Sequence, residues 1–122
     1  MTDNSLPKVL IVEDSFPIQR FYREKLDGQC YVISAHSVKD GEMLFRMHPD
    51  VAAIVMDACV PGETPTTQPL VKHIRRTFSG PIIAASGSEE CQKMLLKAGC
   101  DHRVSKREVP GKLAELLEQN GD

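Results

Sequence analysis

The chain has 122 residues, with 15 Lys and Arg against 17 Asp and Glu for a formal net charge of −2. That length matches the commonest domain size and buries one core without staples, so a single domain over 1–122 is expected. A pI near 6.1 argues against direct nucleic-acid binding, whose footprint is a domain-wide basic excess, and no apolar run approaches the ~20 residues that cross a bilayer. Met1 to Lys8 is polar rather than a charged start followed by an apolar stretch, so the chain reads as cytoplasmic, with no membrane insertion. Cys30, Cys59, Cys91 and Cys100 are spaced by 29, 32 and 9 residues, which fits neither a paired zinc pattern nor a CxxC redox pair; reduced, mostly buried thiols are expected.

Apolar runs then alternate with helical patterns five times. Lys8 to Val12 reads as the first strand. The helix after it opens with Ser15 as cap and Pro17 in the first turn, where a missing N–H is harmless. It presents Ile18, Phe21, Tyr22 and Leu26 on one face and stops at Gly28. Cys30 to Ala35 is the second strand. Ser37 with Asp40 resembles a capping box for a helix that turns Val38, Met43, Leu44 and Met47 inward and closes at His48-Pro49. Val51 to Met56 is the third strand. From Pro61 to Pro69, prolines at 61, 65 and 69 interleave with Gly62 and three threonines, which reads as a stiffened surface loop. Pro69 starts a third helix through Leu70, Val71, Ile74 and Phe78, and Pro81 to Ala85 is the fourth strand. Ser88-Glu89-Glu90 places negative charge at the start of a fourth helix, with Met94, Leu95 and Ala98 inward and Gly99 as its stop. Asp101 to Ser105 is the fifth strand. Pro110 begins a fifth helix whose Leu113, Leu116 and Leu117 form an apolar stripe. This alternation with short connections predicts an α/β fold, a parallel five-stranded sheet doubly wound by right-handed crossovers.

Glu13, Asp14 and Asp57 each sit where an apolar run ends. In a parallel sheet those ends lie side by side, at the crevice where open α/β sheets bind ligands. Two unit charges ~4 Å apart repel by roughly 4 kcal/mol at an effective dielectric near 20, so three close carboxylates either take up protons or bind a hard divalent cation, for which Mg²⁺ is favoured. Taken alone, a Glu-Asp pair after a strand is more often a helix cap. Ser86-Gly87-Ser88 alone is a capped turn without the GxxxxGK spacing of a phosphate loop. Lys106 beside Arg107 would alone be a solvated charge. His36, His48, His73 and His102 show no ligand spacing and read as surface or structural.

Together, Glu13-Asp14 after the first strand, Asp57 after the third with Pro61 four residues on, Ser86-Gly87 after the fourth and Lys106 after the fifth resemble the receiver domain of two-component response regulators, of the chemotaxis-regulator kind, over essentially the full length. The resemblance implies a flavodoxin-like (βα)5 sheet of order 2-1-3-4-5. It implies that Asp57 accepts a phosphoryl group from a phosphohistidine, a signalling role rather than that of an enzyme. It further implies that Asp14 ligates Mg²⁺ directly and Glu13 through water, that Asp57 and the Cys59 backbone carbonyl complete the metal's protein ligands, and that Lys106 and the Ser86 hydroxyl contact the phosphate oxygens. The implied partners are a sensor histidine kinase or histidine phosphotransfer protein and an unassigned downstream protein, with a homodimer left open. A degenerate receiver serving only as a binding module, and a flavin or nucleotide carrier, are the alternatives. Retention of all five site residues argues against the first, and Glu13-Asp14, which would repel a phosphate, against the second. Arg103 stands where the family commonly has an aromatic, Arg107 where a proline follows the lysine and Val60 where methionine is usual. The stretch around Glu63-Thr64-Pro65 is about two residues longer than the common form. Arg103 implies that the signal leaves by another path than a swinging aromatic. No output domain is read after the fifth helix, which leaves open both a single-domain regulator and a piece of a larger regulator or hybrid kinase.

Overall fold

A computed structural model describes residues 6–62 and 65–120. Most of the polar start and Glu63-Thr64 of the irregular loop lie outside the described residues. Five strands, β1 (Lys8–Val12), β2 (Tyr31–Ala35), β3 (Ala53–Asp57), β4 (Ile82–Ala85) and β5 (His102–Val104), form a parallel sheet of order β2-β1-β3-β4-β5. Helices α1 (Phe16–Lys25), α2 (Val38–Met47), α3 (Gln68–Arg75), α4 (Glu89–Ala98) and α5 (Val109–Asn120) connect and follow the strands. Successive strand residues point to opposite faces, so the sheet feeds two cores. Leu10, Val12, Ile54, Met56, Ile82 and Ala84 pack with Phe45 of α2, Leu70, Val71 and Ile74 of α3 and Leu95 of α4. Val9, Ile11, Ala53, Val55, Ile83 and Ala85 pack on the other side with Tyr22 of α1 and Val109, Leu113 and Leu116 of α5.

The caps read from the sequence are in place. The Ser15, Ser37 and Ser88 hydroxyls accept the Ile18, Asp40 and Cys91 amides at 3.3, 3.0 and 3.3 Å. Gly28 and Gly99 adopt φ of 80° and 133°, which disfavour other residues. β1 starts at Lys8 as expected, whereas β2 to β5 start one or two residues later; Cys30, for example, still donates its N–H to Leu26 O at the end of α1. Asp57 is itself the last residue of β3.

The inner face of α2 differs from the expected one. Met43 and Met47 are 45% and 63% exposed, and the buried residues are Gly41 and Phe45. A Cβ on Gly41 would stand 3.0 Å from Val12 Cγ2 and 3.1 Å from Leu70 Cδ2, so the helix packs tightly against β1 and α3 through this glycine, and the methionines turn outward. All four cysteines are free, Cys30 and Cys100 buried and the other two half-buried. Among the described residues no helix is long and apolar enough to cross a membrane.

Candidate functional site

The parallel register sets the strand ends level: Val12 pairs with Ala35 and Met56, Asp57 with Ala85, and Ala85 with Val104. Glu13, Asp57, Ser86 and Lys106 all follow from these ends. One carboxylate oxygen each from Glu13, Asp14 and Asp57 lies within 4.8 Å of the others. Glu13 is only 1% exposed and Asp57 4%, whereas Asp14 is half-buried. The Lys106 ammonium sits 3.0 Å from Glu13 Oε1 and 3.3 Å from Asp57 Oδ2. Three of the other oxygens meet backbone amides: Glu13 Oε2 accepts from Ser15 at 3.0 Å, Asp57 Oδ1 from Cys59 at 3.3 Å and Asp14 Oδ2 from Gly62 at 3.2 Å. The buried Ser86 Oγ accepts the Ser88 N–H at 3.1 Å, which leaves its own hydrogen available to donate.

Burial dominates the electrostatics. It pushes the Glu13 carboxyl up to about 7, with the Asp57 charge adding to the rise and the Ser15 amide and Lys106 opposing it. Asp57 is raised by burial against the pull of Lys106. For Lys106, burial favours the neutral form, but contact with Glu13 and Asp57 outweighs it and the ammonium is strengthened. Three carboxylates facing one ammonium leave a surplus of negative charge in a site where two of the carboxylates are buried. The donor set is all oxygen, and a hard divalent cation fits it. The Cys59 thiol is no rival ligand, since burial and the neighbouring Cys91 thiol push it up to about 11.

Sequence reasoning missed the residues that hold these side chains in place. Gln19, fully buried on α1, donates its amide to Ile11 O, Glu13 O and Ala35 O at 2.9, 3.1 and 3.2 Å. Thr67, also fully buried, donates to Asp57 O at 2.7 Å and Ala58 O at 3.1 Å. Thr66 ties the loop shut by accepting from Val60 N and donating to Val60 O, at 3.1 and 2.8 Å. Lys106 opens a short 3-10 turn, Lys106–Glu108, built as a capping box in which Glu108 accepts from the Ser105 amide and hydroxyl at 3.1 and 2.9 Å. That box orders the turn where the expected proline is replaced by Arg107. Only its Ser-x-x-Glu spacing was visible in advance. The histidines stay outside the carboxylate cluster: His36 stacks on Phe16 with ring centroids 4.1 Å apart, and His73 lies 3.7 Å from Glu42. Arg103 points outward and pairs with Glu89 at 3.3 Å.

No protein-family model and no curated protein matches the sequence. Solved structures do match. Vibrio cholerae chemotaxis protein CheY4 aligns at 22% identity and a TM-score of 0.76, over 93% of this chain and 98% of that one. The fold is that of a response-regulator receiver domain. The receiver domain of Francisella response regulator 1452 aligns at 24% identity with a TM-score of 0.76, again over 93% and 98% of the two chains. A response regulator/GGDEF domain protein aligns at 21% and 0.78 over 98% of this chain, which spans 52% of that longer one. At these identities the likeness is one of fold, so what the receiver-like chain does is argued from its own site.

Proposed function

We propose that this chain is a phosphoacceptor switch, taking a phosphoryl group onto Asp57 from a phosphohistidine of a sensor kinase or histidine phosphotransfer protein in the cytoplasm, and changing its protein partner as a result. The observation that carries the reading is the placement of one ammonium, Lys106, over the two buried carboxylates Glu13 and Asp57, with Asp14 completing the cluster. A carboxylate oxygen of Asp57 attacks phosphorus, the P–N bond to the donor imidazole breaks, and the electron pair leaves with that nitrogen. Lys106 meets one oxygen of the transferring group and the Ser86 hydroxyl another. Asp14 and Asp57 would hold Mg²⁺ directly, with the Cys59 carbonyl, and Glu13 through water. Mg²⁺ bound there supplies neutralisation of the charge that spreads over the phosphoryl oxygens in a loose transition state. A groove of about 580 Å³ between Ile18 and Phe21 of α1 and Pro110 of α5 opens beside Lys106, a fitting seat for the donor protein. The chain is consumed once per transfer, as a signalling acceptor rather than an enzyme acting on a separate substrate.

The test is intact mass after incubation with acetyl phosphate and Mg²⁺. Wild type is expected to gain one phosphoryl group, a gain prevented when Mg²⁺ is chelated and absent in Asp57→Asn. No gain with any small phosphodonor, or a gain that survives Asp57→Asn, overturns the reading.

A further inference from the structure

Gln92 lies in α4, outside the carboxylate cluster. Its amide nitrogen donates to Ser86 O at 2.8 Å and to Val104 O at 3.1 Å. Both partners are carbonyl oxygens, which only accept, so the NH₂ end must face them and both of its hydrogens are engaged. The two carbonyls belong to different strand ends. Ser86 follows β4 and carries the site's hydroxyl; Val104 ends β5, two residues before Lys106. Val104 O also accepts the Ser86 N–H at 3.3 Å. At Gly87 itself packing adds nothing, since nothing stands within 4 Å of a Cβ position there. The Arg103–Glu89 pair, with side chains 37% and 68% exposed, is open to screening and holds the strand ends weakly. The Ser88 N–H, donated to Ser86 Oγ at 3.1 Å, closes the turn on itself, and the Gln92 amide with the Ser86–Val104 backbone bond beside it ties that turn to β5 and α4.

We propose that Gln92 is a positioning residue for phosphoryl transfer: it fixes Ser86 at the end of β4 relative to Val104 at the end of β5 and passes any movement of Ser86 directly to α4. The proposal rests on the phosphoacceptor reading above and adds to it the route by which phosphorylation is felt. Ser86 O cannot shift toward or away from Asp57 without drawing the Gln92 side chain along or breaking its hydrogen bond. In a chain with Arg103 at the place of an aromatic, α4 is then the first element to respond.

Gln92→Met keeps the reach of the side chain and removes both donors. Three readouts separate positioning from mere structure: the rate of Mg²⁺-dependent phosphorylation by acetyl phosphate, Mg²⁺ affinity by titration, and the amide shifts of α4 on adding beryllofluoride, a stand-in for the phosphoryl group. A displacement of 1 Å at a reacting group costs about 100-fold, so a looser Ser86 is expected to slow phosphorylation about tenfold. Mg²⁺ affinity should hold, because the metal-binding carboxylates are not its partners, and the α4 shifts should shrink. If Gln92→Met does not fold, Gln92→Asn, which withdraws the amide by one methylene, takes its place. A folded variant phosphorylated at the wild-type rate, whether or not its melting temperature drops, overturns the inference and leaves the phosphoacceptor reading standing. A wild type that gains no phosphate overturns both.

Discussion

Glu13 holds a carboxyl group 1% exposed to water, beside a second buried carboxylate. Its ordinary pKa of 4.5 rises to about 7 in the fold, chiefly through burial. Between those two values the folded chain binds a proton that the unfolded chain has released, so this group's contribution to stability falls as pH rises from about 4.5 through about 7 and is level beyond. Asp57 is shifted in the same sense. Urea denaturation without metal should show wild type losing stability over that range, and Glu13→Gln, which cannot titrate, should lose less; identical pH slopes would show that Glu13 is not protonated. Mg²⁺ competes with the same proton, so its affinity should strengthen as pH passes about 7. The two neighbouring acids should also differ. Asp14 is half-buried and accepts from the Gly62 amide, whereas Glu13 is buried and held by Ser15 and Lys106. Asp14→Ala should therefore weaken Mg²⁺ binding more than Glu13→Ala; equal losses by titration would refute the direct and water-mediated roles.

At the scale of elements, polar side chains rather than packing tie the loops to the strand ends. Thr67 and Thr66 both fold the loop after β3 back onto it, but Thr67 is fully buried and Thr66 exposed. Thr67→Val keeps the shape and removes the hydroxyl donor to the Asp57 carbonyl, while Ala58 O keeps the Thr66 N–H, at a cost of about 1–3 kcal/mol. Thr66→Val should cost less, because water replaces its lost partner; a reversed order in chemical denaturation would mean that the loop is not held from Thr67. At the opposite edge of the sheet, Arg75 of α3 donates to Gly99 O, Phe78 O and Gly80 O and meets Asp101 Oδ2 at 2.6 Å. Arg75→Met should destabilise by about 2–4 kcal/mol, since each hydrogen bond to a charged donor contributes about 1.5–3 kcal/mol. Its phosphorylation rate should stay unchanged, because the staple lies at the far ends of the strands.

Across the whole molecule, the carboxylate cluster and Lys106 gather at the C-terminal ends of the strands, and the proposed route of transmission runs through the loops after β3 and β4. On the proposed function, a phosphoryl group on Asp57 would add negative charge and acceptor oxygens beside Lys106. Burying an unpaired guanidinium costs several kcal/mol, on the order of 3, so Arg103 should remain outward beside Glu89 in both states. Beryllofluoride should move the amides of Ala58 to Pro69 and Ser86 to Glu90 most. If the largest remote changes centred on Arg103 and α5, with the Arg103 side chain turning inward, this route would be wrong.

The sequence by itself determined the element order, the helix caps and the strand-end position of every acidic site residue. These are local properties: alternation of period 2 against 3.6, a serine before a helix, a carboxylate after an apolar run. It misjudged Met43 and Met47, because hydropathy marks a residue as apolar but not which way a helix is rolled, and that roll was set by the close approach at Gly41. Gln19, Thr67 and Gln92 were illegible for a related reason. Each bonds to backbone carbonyls of other segments, and a carbonyl has no sequence signature. Only the tertiary structure decided that Glu13 is sealed from water while Asp14 is not, and that Lys106 reaches Asp57 across 49 residues of chain. Those facts follow from strand register and from the helices that cover the sheet, which join residues by space rather than by spacing.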